Sequence, residues 1–187
     1  MDKKNVRNEI YRYYKGLSED EIRHYSREAT SLMINQKLWL EAQVILIFLS
    51  FRKEFHTGSL IEASLDRGKK VAVPRIYGRE MRFHFINSLS DEFTLNKWGI
   101  REPRESAPLW SQKYKKTLML TPGLAFNLNG GRLGRGGGFY DRFLSEFGKD
   151  IQTTGLCFEK QIRDDFPVGS QDYRIQFLCS NRKFYSV

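Results

Sequence analysis

The run Val44 to Leu49, VILIFL, is the strongest constraint on the fold, because a continuous apolar stretch of this kind belongs to a strand buried on both faces. A helical pattern from Leu60 to Arg67, closed by Gly68, follows it, and then a second short strand, Val71 to Val73, ending at Pro74. Strand, helix and strand in that order make a β-α-β unit with parallel strands, so helices must cover both sides of the sheet. The expected fold class is α/β: a layered α/β/α sandwich with a mostly parallel sheet, extended by Arg82 to Ile86, Thr117 to Leu120, Gly155 to Phe158 and Ile175 to Leu178. Ahead of it, Val6, Ile10, Tyr13, Tyr14 and Leu17 mark an amphipathic helix ending at Gly16. Ser18 then opens a second helix through a capping box with Glu21, with Ile22, Tyr25, Ala29, Leu32 and Met33 on its apolar face. The Pro-containing stretch Arg101 to Gln112 reads as a surface loop.

The chain has 187 residues, 40% of them hydrophobic, which suffices for one sizeable core, so residues 1–187 read as a single domain. The charged start, MDKKNVRNEIYRYYK, lacks a signal-peptide pattern, and no apolar run approaches membrane-spanning length. A soluble cytoplasmic protein without a membrane partner is expected. Cys157 and Cys179 lie in apolar surroundings without CxxC spacing and are read as buried, reduced thiols. A net charge of +9 fits either a nucleic-acid surface or an enzyme with anionic ligands. The basic residues are dispersed from Lys3 to Lys183 and no helix-turn-helix, RRM or zinc signature is present, so nucleic acid is not expected as a partner.

The chemistry concentrates between Gly130 and Leu144, GGRLGRGGGFYDRFL, where six glycines and two arginines precede an apolar helix whose face is Tyr140, Phe143, Leu144 and Phe147. Glycines let several N–H groups point at one anion, and the helix N-terminus adds its dipole. Neither a Walker A loop nor a dinucleotide fingerprint fits, because Gly136 is followed by Gly137 and Gly138 and Phe139 stands where a third fingerprint glycine belongs. Lys3 and Arg7, spaced i, i+4, form either a solvated basic face or a clamp for an anion. Asp141 in the first helical turn either complements the dipole or meets a divalent cation beside phosphates. Glu54, between Lys53 and Phe55, has the setting of an ordinary surface residue. Trp98 reads as a packing anchor for the loop after it, with a substrate-side role as the alternative. His24, His56 and His84 have no metal-ligand or triad spacing and are read as structural or surface residues.

The run RLGRGGGFYDR, with Lys3 and Arg7, IFLSFRKEFHT at Ile47 to Thr57, KWGIREP at Lys97 to Pro103 and FPVGSQD at Phe166 to Asp172, resembles the 5-formyltetrahydrofolate cyclo-ligases, also called methenyltetrahydrofolate synthetases. The likeness covers nearly the whole chain. It implies a fold like the ribose-phosphate isomerase and CoA-transferase group, and the ATP- and Mg²⁺-dependent conversion of 5-formyltetrahydrofolate, with or without extra glutamates, to 5,10-methenyltetrahydrofolate. It also implies a monomer or weak homodimer. It assigns Lys3, Lys4, Asn5, Val6, Arg7, Arg132, Leu133, Gly134, Arg135, Gly136, Gly137, Gly138, Phe139 and Tyr140 to ATP, with Arg132 and Arg135 as the catalytic cations. Leu49, Glu54, Arg135, Gly136, Gly137, Gly138 and Phe139 fall to the folate, and Asp141 and Asp172 to Mg²⁺. The chain departs from the family pattern at Gly137, where lysine is frequent, at Phe139, where tyrosine is common, and at Gln176, where relatives often carry an aspartate. Two other classes stand beside this: a phosphosugar isomerase or CoA-transferase-like enzyme using Glu54, and a basic module that binds a polyanion.

Overall fold

The computed structural model describes residues 1–187. In chain order the elements are Lys3–Gly16 (α1), Glu19–Met33 (α2), Lys37–Glu41 (α3), Val44–Ile47 (β1), Gly58–Asp66 (α4), Lys70–Tyr77 (β2) and Glu80–Ile86 (β3). Then follow Phe93–Leu95 (β4), Arg101–Pro103 (β5), Thr117–Thr121 (β6), Ala125–Phe126 (β7), Arg132–Leu133 (β8) and Phe139–Phe147 (α5). Gln152–Leu156 (β9), Phe177–Cys179 (β10) and Phe184–Ser186 (β11) complete the fold.

One sheet of seven strands runs in the order β11-β10-β9-β6-β1-β2-β3. The inner strands are parallel, and β3 and β11 are antiparallel edges. Alternate residues of the central strands face opposite layers. Ile45, Ile47, Val71, Val73, Leu118 and Leu120 pack with α1 to α4, whereas Val44, Leu46, Ala72 and Met119 pack with Phe143 and Leu144 of α5. The layered α/β/α reading therefore holds, with most helices on one side.

The Ser18 and Glu21 capping box is formed in both directions at the start of α2. Several sequence expectations are corrected. Strand β2 does not stop at Pro74 but continues to Tyr77. Opposite Pro74 stands Phe83, whose carbonyl accepts from the Trp110 N–H on the far side, so this pair exchanges no ladder bond and the missing proline N–H costs nothing. The stretch from Arg101 to Gln112 is not a free loop. Its start pairs with β4, and Pro108 to Trp110 lie along the β3 edge through Phe85 N–H to Pro108 O and Trp110 N–H to Phe83 O, both 2.8 Å. Trp110 is buried between Phe143 and Phe147, which anchors the segment. Strand β9 begins three residues earlier than expected, at Gln152, and β10 two residues later, at Phe177. His84 is buried, with Nδ1 at 2.7 Å from Ala107 O and Nε2 at 3.0 Å from the Tyr77 hydroxyl, a structural role.

Candidate active site

Strands β1 and β6 are neighbours and parallel, so the segments leaving their carboxyl ends emerge side by side. The first carries Glu54. The second turns through Pro122, forms the β7-β8 pair and delivers Arg132 and the glycine loop. Helix α1 lies against this second segment: Val6 packs with Ala125, Leu133 and Phe166, and Arg7 Nε donates to Gly134 O at 2.9 Å.

Gly136 has φ 104° and Gly138 φ 64°, conformations that admit glycine with little strain. Gly138 caps α5 without any side-chain hydrogen bond. The backbone N–H groups of residues 134 to 141 find no acceptor within the chain. A row of donors at a helix N-terminus is a binding surface for an anion with several oxygens. Arg142 braces the loop from behind, donating to Gly137 O at 2.9 Å and to Arg79 O at 2.8 Å.

Besides Arg142, four cations sit on the segments that meet here, and three are already paired with a carboxylate. Lys3 Nζ lies 2.5 Å from Asp172, whose same oxygen accepts from Gly169 N–H at 2.7 Å. Arg132 Nη2 lies 2.8 Å from Asp141, and Arg135 Nη2 lies 2.7 Å from Glu54. Arg7 has no carboxylate, and its Nη2 sits 3.9 Å from where a Gly136 Cβ would be. Tyr173 N–H donates to Asp141 at 3.3 Å, so Asp141 and Asp172 are brought together through a single peptide unit.

The carboxylates differ in environment. Burial works against the Asp172 charge, but the Lys3 and Gly169 hydrogen bonds and the charge of Arg132 outweigh it and hold its pKa below the ordinary carboxylate value. Burial dominates at Glu54 and pushes its pKa up, although Arg135 and the Phe51 N–H both favour its charged form. Tyr14, buried beside this pair, is pushed up by its own burial and then by Glu54. Arg132 is 3% exposed, and its Nε has no partner.

Of the residues singled out in the sequence, Lys3, Arg7, the loop from Gly134 to Gly138, Arg132, Arg135, Glu54, Asp141 and Asp172 converge. Leu49 instead lies in the main core, and Val6 and Leu133 face a small buried cluster, so only backbone at those two positions is left for a ligand. Lys4 and Asn5 are exposed, and Asn5 serves the Asp2 cap of α1. Tyr140 stacks under Arg132 at 5.3 Å, and Phe139 meets the half-exposed Trp98 edge-on at 6.2 Å. Gln176 is occupied structurally, its Oε1 accepting from Thr153 N–H at 2.9 Å. Arg142 and the Tyr173 N–H were missed; the only signal for Arg142 is its position four residues after Gly138, over a helix start that lacks a cap.

A family profile described as the 5-formyltetrahydrofolate cyclo-ligase family matches residues 1–181. The chain belongs to the 5-formyltetrahydrofolate cyclo-ligase family. It is therefore an enzyme of the ligase class. A 5-formyltetrahydrofolate cyclo-ligase of Escherichia coli K12 is 30% identical over 178 residues, covering 91% of this chain and 96% of that protein. One from Mus musculus is 28% identical over 185 residues, covering 92% and 90%. The fold matches an NMR structure of a 5,10-methenyltetrahydrofolate synthetase from Aquifex aeolicus with TM-score 0.83 and 22% identity, over 98% of this chain and 92% of that one. No helix is long and apolar enough to cross a membrane.

Proposed function

We propose that residues 1–187 act as one unit that converts 5-formyltetrahydrofolate to 5,10-methenyltetrahydrofolate, with ATP as co-substrate and Mg²⁺ as metal, releasing ADP and phosphate. The observation that carries this reading is the row of unpaired N–H groups from residue 134 to 141, with Arg7 and Arg132 beside it and Lys3 on the neighbouring Asp172. The names of the family members supply the two folates.

The chemistry accounts for the parts. A formamide oxygen is a poor leaving group, so in this reading the γ-phosphoryl of ATP passes to the formyl oxygen. N10 of the folate then attacks the activated carbon and loses its proton, and the C–O bond breaks to release phosphate. Phosphoryl transfer needs positioning and charge neutralisation more than an enzyme nucleophile. Here the loop amides and the α5 dipole hold the phosphate oxygens, Arg7 offers its free Nη side, and Arg132 and Arg135 supply charge where it develops. Glu54 accepts hydrogen bonds from the N–H groups of the pterin.

Asp141 and Asp172 are the residues that would hold Mg²⁺. The pair fits that ion, because Mg²⁺ takes one or two carboxylates together with phosphate oxygens and water, and each carboxylate keeps one oxygen without a hydrogen-bond partner. When bound, the ion neutralises phosphate charge. The cytoplasmic placement is supported by Cys157 and Cys179, which are buried and unpaired.

Mixing the protein with 5-formyltetrahydrofolate and Mg-ATP tests the reading. The near-ultraviolet absorbance of the methenyl product should rise only when both substrates are present. A flat trace across pH and divalent cation would refute it.

A further inference from the structure

The Glu54–Arg135 pair joins the turn after β1 to the glycine loop across 81 positions of sequence, at 2.7 Å. Its two ends are unequal. The Glu54 side chain is 12% exposed and its second oxygen is fixed by the Phe51 N–H at 2.7 Å, whereas the Arg135 side chain is 44% exposed. Arg135 thus faces two ways: its backbone N–H belongs to the unpaired row, but its guanidinium is turned to Glu54 and leans over the Tyr11 ring at 5.9 Å. To reach an anion held by the loop, the guanidinium must leave Glu54. That departure alone strands a buried carboxylate with one N–H, which is costly. It becomes favourable once another donor pair occupies Glu54, as the amide and amine N–H groups of a pterin would.

We propose that Glu54 holds Arg135 off the nucleotide until the folate takes its carboxylate, so that the two substrates bind with positive coupling. This rests on the reading given under Proposed function. Coupling of this kind is reciprocal: if the folate tightens the nucleotide, the nucleotide tightens the folate by the same factor.

The test is calorimetric binding of the β,γ-imido analogue of ATP with Mg²⁺, with and without saturating 5-formyltetrahydrofolate. For the parent the folate should tighten the analogue by about 5-fold or more, the usual lower bound for allosteric coupling. Glu54→Gln keeps the size and a neutral acceptor but frees Arg135. It should bind the analogue more tightly than the parent does without folate, and the folate effect should fall to about 2-fold or less. Arg135→Ala should show the mirror image, binding the folate more tightly than the parent does without nucleotide, again without coupling. A merely structural pair would not give variants that gain affinity for opposite substrates. A parent that forms product yet shows no coupling overturns this proposal alone, as does Glu54→Gln with coupling intact or nucleotide affinity unimproved. If Glu54→Gln does not fold, Arg135→Ala decides in the same way. A parent that neither binds the analogue nor forms product overturns the functional reading as well.

Discussion

Asp141→Ala should cost stability as well as activity, and by a predictable amount. Asp141 is the carboxylate partner of Arg132, whose guanidinium is 3% exposed and whose other contacts are Pro122 O at 3.3 Å and the Tyr140 ring. Removing one partner of a buried pair costs about 3–5 kcal/mol. Asp141 itself is 22% exposed, so water relieves part of that penalty and the lower end, about 3 kcal/mol, applies. For a chain of this size that lowers Tm by about 6–12 °C. Asp141→Asn keeps an acceptor for Arg132 and forfeits only the charge assistance, about 1 kcal/mol, or about 2–4 °C. The double variant Arg132→Met, Asp141→Ala should be more stable than Asp141→Ala alone, because no buried charge is then stranded. Thermal unfolding followed by far-ultraviolet circular dichroism measures all three. If Asp141→Ala melts within about 2 °C of the parent, Arg132 does not depend on Asp141 and the argument fails. Asp141→Asn is the variant in which lost turnover reads on chemistry rather than on folding.

Arg135→Ala should lower turnover by about 100-fold, the usual loss when one donor that stabilises developing charge is removed, and steady-state assays with both substrates saturating check it. Gly136→Ala makes only an ordinary contact with Arg7 Nη2 at 3.9 Å but forces a side chain onto φ 104°, at a cost of about 1–3 kcal/mol; the KM for ATP should rise while the circular dichroism spectrum stays that of the parent, and an unchanged KM removes the loop from the phosphate site. Asp172 has a folded pKa below its unfolded one, so its contribution is full above about pH 4, the unfolded value, and is lost as pH falls through the folded pKa. Asp172→Asn should therefore be less stable than the parent at neutral pH and show a shallower loss of urea resistance on acidification. Equal slopes would place the acid sensitivity elsewhere. Chelation of divalent cations should abolish product formation and added Mg²⁺ should restore it.

The sheet was legible because VILIFL and the patterns beside it are buried strands whose hydrophobicity is written locally, and the Ser18 and Glu21 cap needs only four residues to be seen. The errors fall where long-range partners decide. Strand β9 starts at Gln152 and runs through Thr153 and Thr154, which are polar by type yet buried by sheet pairing, whereas the apolar LCF that follows drew the expectation too far along. Strands β4, β5 and β11 are three residues each and exist through their partners. At the site, the glycines and the charges were visible one by one. That Glu54 is buried against Arg135, that Arg132 has been taken from the surface to Asp141, and that Lys3 reaches Asp172 are pairings no local pattern encodes.

The Lys3–Asp172 contact spans 169 positions of the chain. During translation, the first helix is available early but must wait for the turn ahead of β10 before its ammonium meets a carboxylate. A nascent or prematurely terminated polypeptide lacking residue 172 presents the glycine loop without that closure.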